Sequence, residues 1–340
     1  MPGIFTISLD FELHWGVFDK KNREEREACY KNTLQVIPKM LELFSHYNVH
    51  VTWACVGSLF AKNEEEWKKL KPEIEPLYTL EKYSPYSWVK ENGLSDSYSW
   101  AHFAPHIISQ ILQYPGQELA SHTFSHYYCL EQQKKEDAFV ADIEAMEKAA
   151  SMFGAKISSL VFPRNQFNEK YLKKCFEYGI LAVRSNPNSW YWEPVNSSGS
   201  SIIRKIVRTA DAYIHIGQPR SSYPLASIKV NEGESLQLPA SRFLRPWRNK
   251  YKFANKLRLN RLCQEIRTAA IKKECYHLWW HPENFGDNPS ENLATLSTLL
   301  KEYKKCNQRF GMESWHMRDY ADHLLGLEKN TQQYANQASQ

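Results

Sequence analysis

The chain has 340 residues, 42% hydrophobic and 14% aromatic, enough for a sizeable core in one large domain or two ordinary ones. Its 43 Lys and Arg against 38 Asp and Glu leave a net charge of +5. That balance is too weak to argue for a nucleic-acid partner, and no basic arm or aromatic–basic platform accompanies it. No window approaches the ~18 consecutive apolar residues of a membrane span. The N-terminus, MPGIFTISLDFE, has no basic segment followed by an apolar one, so no signal peptide is expected. Seven scattered cysteines without a CxxC pair fit reduced thiols, and a cytoplasmic location is expected.

Residues 4–9 (IFTISL) form an apolar, β-branched run that reads as a buried parallel strand. Asp10 and Glu12 close it, and strand alternation turns both acids toward one space and Phe11 away. Leu34, Ile37, Leu41 and Phe44 recur at helical spacing over 32–47, where Pro38 predicts a kink or a first-turn position. A second strand is expected over 49–56. Strand, helix, strand is a βα rhythm and points to an α/β fold with parallel strands. Residues 60–117 break the rhythm and are rich in Trp and Tyr, so a long insertion of short helices and loops is expected there.

A strand over 117–120 then delivers His122 and His126. A helix follows over 136–152, and a strand over 159–162 ends in Pro163-Arg164-Asn165. A helix over 168–178 stops at Gly179, and a strand over 180–183 leads to Arg184. Residues 186–250 read as a second insertion or lid, with Arg242, Arg245 and Arg248 close together. A basic helix over 255–273, a last strand over 276–280 (YHLWW) ending in His281, and a closing helix over 289–306 complete the pattern. One catalytic domain over 1–327 is expected, with insertions at about 60–117 and 186–250 and a polar, fraying tail over 328–340.

Four chemically suggestive groups therefore follow apolar strand runs: Asp10 with Glu12, His122 with His126, Arg164, and His281. In an α/β barrel the loops after the strands form one active face, so residues distant in sequence converge. Two histidines at i and i+4 share a face if the backbone turns helically. With one carboxylate they make a two-His-one-carboxylate set that leaves positions open for water and substrate. A second carboxylate can accept the water's proton. A histidine opposite can protonate the leaving atom, and Arg164 is expected to hold the base carboxylate ionised. The pattern points to a metal-dependent hydrolase.

The stretches TISLDFELHWG, ELASHTFSH, VFPRNQFN and HLWWHPENFG resemble the polysaccharide deacetylases of carbohydrate esterase family 4, the NodB-homology family. HTFSH is similar to that family's His-(Ser/Thr)-x-x-His motif. The LDFE match departs from the two adjacent aspartates of many members: Phe11 separates the acids and the second is Glu12. The resemblance implies an α/β fold of the distorted, incomplete (β/α) barrel type, usually seven-stranded. It implies Asp10 as catalytic base oriented by Arg164, Glu12, His122 and His126 as metal ligands, and His281 as general acid. The implied cofactor is a divalent metal, Zn²⁺ first, with Co²⁺, Ni²⁺ and Fe²⁺ as alternatives. No counterpart of the family's Asp-x-x-Asp-Trp motif is found; Trp190, Tyr191 and Trp192 lie near its expected place.

The expected substrate is an N-acetylated sugar, such as a nucleotide- or lipid-linked precursor of a surface polysaccharide. A deformylase or ring-opening amidase on the same scaffold, and a catalytically silent sugar-binding protein, are the alternatives. The expected substrate contacts are Trp15 as a platform, Trp190, and Leu278 with Trp280 against the acetyl group. Arg242 and Arg245 are candidates for a phosphate or sugar acid. Homo-oligomer formation is left open by the sequence.

Overall fold

The computed structural model describes residues 1–132, 136–187 and 221–327. The apolar runs become parallel strands: β1 (Ile4–Phe11), β2 (Val51–Cys55), β3 (Gln117–Ser121), β4 (Ser159–Val161), β5 (Ala182–Ser185), β6 (Leu236–Pro239), β7 (Arg242–Phe243), β8 (Cys275–Trp280) and β9 (Glu313–Ser314). They pair in the order β6-β5-β4-β3-β2-β1-β8-β7, and β9 joins the start of β1. β6 and β7 form the two ends of this path, so the curved sheet is an incomplete (β/α) barrel with eight strands along its path among the described residues, where seven were expected.

Alternation along β1 builds two cores. Phe5, Ile7, Leu9 and Phe11 face outward and join the larger core. There they meet Ile37, Leu41 and Phe44 of the helix Glu27–Tyr47, Ile266 of the helix Lys252–Lys272, and Leu296 and Leu299 of the helix Pro289–Phe310. Each such side chain, once buried, contributes about 1.5–3 kcal/mol. Ile4 faces inward, with Ala54, Ala120, Val161, Ala182, Leu236 and Leu238 of the neighbouring strands. Met317, Tyr320 and Ala321 of the helix Met317–Leu324 complete this inner cluster, so that helix plugs the barrel at the N-terminal ends of the strands. Thr6 and Tyr320 share a hydrogen bond of 2.7 Å there.

Residues 60–117 form short helices, as expected: Glu64–Leu70, Pro85–Asn92, Ser99–His102 and Pro105–Gln113. Pro38 lies within the helix Glu27–Tyr47, not in its first turn. β6 and β7 were not expected within 186–250; LQLP and RF are too short to show a period, and their ladders come from β5 and β8. The plug helix was likewise unforeseen, because it follows the helix read as the closing one. Trp190 and the tail 328–340 lie outside the described residues, as does much of the segment 186–250. Among the described residues no helix is long and apolar enough to cross a membrane.

Candidate metal centre

Parallel strands deliver their C-terminal ends to one side of the sheet, and the candidate residues meet there. Asp10 lies near the end of β1 and Glu12 just past it; His122 follows β3, and His281 follows β8. Glu12 Oε1 is 2.9 Å from His122 Nε2 and 3.3 Å from His126 Nε2. The two imidazole rings stand 5.1 Å apart. All three side chains are buried.

The histidine pair does not sit on a helical turn. Residues 122–126 form a loop in which Thr123 (φ 62°) and His126 (φ 57°) are left-handed. Leu13 after β1, and Arg164 and Asn165 after β4, are left-handed too. Five non-glycine residues in this sparsely populated region thus lie at the barrel mouth, a pattern associated with functional loops. Asp142, buried in the helix Glu136–Ser151, anchors the loop by accepting Phe124 N (2.5 Å), Ser125 N (3.1 Å) and Ser125 Oγ. Burial pushes its carboxyl up to about 6 against those donors. Gly16 is required by close approach: a Cβ there would lie 1.7 Å from Glu12 Oε2.

The donor set fits a divalent cation. His122 Nδ1 is 2.7 Å from the carbonyl of Val161, which can only accept, so the ring proton sits on Nδ1. The lone pair of Nε2 then faces Glu12 Oε1 at 2.9 Å, a repulsive contact unless a proton or a cation lies between them. Bonds of about 2.0–2.1 Å in a tetrahedral set place ligand atoms roughly 3.3 Å apart, close to the separations here. His126 Nδ1 meets Tyr128 Oη at 3.1 Å, so both imidazoles have partners that fix their orientation. Burial lowers His126 to about 4, which keeps its ring neutral and able to ligate.

Asp10 is held by Arg184, not by Arg164. The Arg184 guanidinium donates to both Asp10 oxygens, at 2.6 and 2.7 Å, and to Ser8 Oγ at 3.1 Å. Burial opposes ionisation of Asp10, but Arg184, with His122 and His281, outweighs it and the pKa lies below the ordinary value. Arg164 donates instead to Asp19 (2.5 Å) and to Tyr128 Oη (3.1 Å), and its guanidinium lies 3.8 Å over the Tyr128 ring. It still lines the cavity, but it reaches His126 through Tyr128. The strand end at Arg184 was visible in the sequence; which of two arginines on adjacent strands reaches Asp10 was not.

His281 Nε2 is 3.5 Å from Glu12 Oε1 and 3.9 Å from Asp10 Oδ2. Burial disfavours its charge, but Glu12 and then Asp10 outweigh burial and raise it to about 9. Glu283 was not singled out in the sequence. Its Oε1 accepts Glu12 N (2.9 Å) and Leu13 N (2.5 Å), its Oε2 has no hydrogen-bond partner among the described residues, and burial pushes its carboxyl up to about 7. These groups line a cavity of about 420 Å³ with Tyr30, Phe243 and Trp279.

Several expected substrate contacts lie elsewhere. Trp15 is 1% exposed, stacks on Trp67 and donates to the His102 carbonyl; it is core. Leu278 and Trp280 are both fully buried in the outer core, because β8 pairs them with Ile7 and Leu9. Trp279, paired with Ser8, is the one that faces the cavity. Arg242 is tied to Glu265, which also receives Arg261 and the Tyr276 hydroxyl. Arg245 is half-buried in the loop after β7 and does not line the cavity.

Comparison with known proteins agrees with this architecture. The family model described as polysaccharide deacetylase matches residues 27–183, which include His122, His126 and Arg164 but stop short of Arg184. No curated protein matches the sequence. A Mycobacterium smegmatis structure, provisionally described as a polysaccharide deacetylase, aligns with a TM-score of 0.57 at 13% identity, covering 95% of this chain and 90% of that one. The α-amylase AmyC of Thermotoga maritima aligns at 0.56 and 10% identity, covering 95% and 75%. Puue allantoinase aligns at 0.53 and 11% identity, covering 96% and 92%. At such identities these likenesses speak to the fold alone. Over residues 27–183, the chain matches the polysaccharide deacetylase family.

Proposed function

We propose that this protein is a divalent-metal-dependent deacetylase of an N-acetylated sugar. The observation that carries the reading is the juxtaposition of three donors with a carboxylate and a histidine at one cavity. Glu12 Oε1 lies within 3.3 Å of both His122 and His126, while His281 Nε2 stands 3.5 Å from the same oxygen and 3.9 Å from Asp10.

Glu12, His122 and His126 would hold the cation, with Zn²⁺ the first candidate and Co²⁺, Ni²⁺ and Fe²⁺ compatible with the same donors. Bound there, a divalent cation supplies Lewis acidity toward the acetyl carbonyl and acidifies water. Asp10 is the general base. The two bonds from Arg184 keep it ionised and aimed while each oxygen retains a free lone pair for the water's proton. His281 faces Asp10 and Glu12 from the end of the neighbouring strand β8 and gives its proton to the departing amine. The C–N bond breaks, and acetate and the free amino sugar leave. Trp279 and Phe243, with rings 4.7 Å apart, form the apolar wall against which the sugar rests. Arg164 acts through Tyr128 to hold His126 in place.

The catalytic unit is taken as residues 1–327. All seven cysteines are unpaired and six are buried, which supports a reducing, cytoplasmic setting and hence an intracellular sugar precursor as substrate.

The test is metal analysis of untagged protein together with acetate release from N-acetylated sugars and nucleotide sugars. Chelation is expected to remove activity and added Zn²⁺ to restore it. Asp10→Asn is expected to lower kcat by roughly 10²–10⁴-fold, the range of a general base. His126→Ala is expected to lose the metal. Wild-type rates in both variants would overturn the scheme, and amide hydrolysis without acetate would move the protein to another C–N bond.

A further inference from the structure

The basic side chains between Arg242 and Arg261 do not line the cavity at the barrel mouth. Residues 235–264 carry eight Lys and Arg and no Asp or Glu, while the whole chain carries only +5, so the remainder is net negative. We propose that residues 248–257, at the start of the helix Lys252–Lys272, form a docking surface for an anionic lipid bilayer.

Folding sorts these charges into two sets. Arg242 and Arg261 turn to Glu265, and Arg258 turns to the Pro246 carbonyl at 3.3 Å. Arg248, Lys250, Lys252 and Lys256 are exposed. Among them stand three large apolar side chains that are exposed too: Phe253 (75%), Leu257 (51%) and Tyr251 (49%). Phe253 and Leu257 are four residues apart on one helix face, and Lys252 and Lys256 form a parallel row beside them. The segment is tied to its surroundings. Asn255 Nδ2 donates to the Arg248 carbonyl (2.8 Å), Asn249 Nδ2 to Asn288 Oδ1 (2.9 Å), and Trp247 N to Asn292 Oδ1 (2.7 Å). The patch is thus a shaped surface, not a loose basic tail.

Two properties of the patch choose its partner. Lys252 and Lys256 repel each other at i and i+4, and Lys252 stands at the positive end of the helix dipole, so neither favours the helix itself. An anionic surface relieves both costs. Exposed phenylalanine, tyrosine and leucine have no use for a purely ionic partner. They enter the boundary between headgroups and acyl chains, while lysine stems reach back to the phosphates. A second copy of this chain, packed patch to patch by two-fold symmetry, would bring like charges together. The patch follows the C-terminal end of β7, whose Phe243 lines the cavity, so docking brings the cavity end of the barrel to the membrane. That a lipid-linked sugar is met there rests on the deacetylase reading.

Vesicle flotation of the full-length protein tests the surface without recourse to activity. Vesicles of phosphatidylcholine alone are compared with vesicles of equal parts phosphatidylcholine and phosphatidylglycerol. Wild type is expected to float with the anionic vesicles only, and to be mostly released when salt rises from about 0.1 M to 1 M, where screening shortens from about 10 Å to 3 Å. The triple variant Lys250→Gln/Lys252→Gln/Lys256→Gln should bind on the order of a hundredfold more weakly, at about fivefold per charge. Phe253→Ser/Leu257→Ser should bind about tenfold more weakly while keeping all four cations. All five side chains are exposed, so both variants should melt at the wild-type temperature, which separates lost docking from lost folding. The proposal is overturned if wild type ignores anionic vesicles, or if either variant binds them as wild type does. It is also overturned if light scattering shows a dimer that Phe253→Ser/Leu257→Ser dissociates, which would make the patch an interface between copies. Failure of flotation leaves the deacetylase reading untouched, and failure of acetate release leaves the docking surface standing.

Discussion

Arg164 and Arg184 follow or occupy neighbouring strands and carry the same charge, yet the chain uses them differently. Arg184 forms a two-pronged pair with Asp10 in which both side chains are almost wholly buried. Arg164, more exposed, pairs with Asp19 and Tyr128. Removing one partner of a buried ion pair strands the other charge, which costs about 3–5 kcal/mol. Arg184→Met is therefore expected to lose about that much stability in urea unfolding, and activity with it. Arg184→Lys should recover part of the stability but little of the rate, since an ammonium cannot present the paired N–H fork. Arg164→Lys should keep most of the stability. Equal losses in Arg184→Met and Arg164→Met would contradict this division of roles.

At the scale of an element, β8 shows how one period decides function. Leu278 and Trp280 point to the helices; His277 and Trp279 point into the barrel. Trp280 stacks on Phe285 with centroids 5.7 Å apart and is fully buried. Trp280→Ala is expected to cost about 3–5 kcal/mol, as large core truncations do. Trp279→Ala should leave more of the stability and raise KM for the sugar severalfold. Thermal melts and steady-state kinetics on the pair check the assignment, and a KM effect confined to Trp280→Ala would reverse it. The loop 122–126 makes the complementary point. Its histidines meet through two left-handed residues and the anchor at Asp142, not through the helical spacing that singles them out in the sequence.

For the whole molecule, the polar lining of the barrel has a pH signature. His277 is fully buried beside Ser8 and Arg184, and burial lowers its pKa to about 3. In the unfolded chain the group titrates near 6.5. Between those values the unfolded state binds more protons, so stability falls as pH drops from about 6.5 toward 3. One such group removes about 1.4 kcal/mol per pH unit, or about 2 kcal/mol between pH 6.5 and 5. Urea unfolding at the two pH values is expected to show that loss in the wild type. His277→Gln should show a loss smaller by about 2 kcal/mol, and equal slopes would refute the assignment. The plug helix matters at this scale too, because it closes the inner core that the strands alone leave open.

The sequence by itself determined the elements and their ends. Apolar runs of four to eight residues separated by amphipathic helices fix a parallel α/β sheet, and the chemistry-bearing residues stand just past those runs because an apolar strand interior does not tolerate them. Asp10, Glu12, His122, His126 and His281 were all legible as one cluster on that ground. The pairing within the cluster was not. Partner choice between Arg164 and Arg184, the side taken by Trp279, the burial of Trp15 and the approach of Glu283 to the Glu12 backbone depend on distances between strands, which no local period encodes. The short strands β6 and β7 and the plug helix were missed for the same reason: their stability comes from ladders and from an inner core supplied by distant residues. Local physics places each group at a strand end; only the curvature of the sheet decides which groups touch.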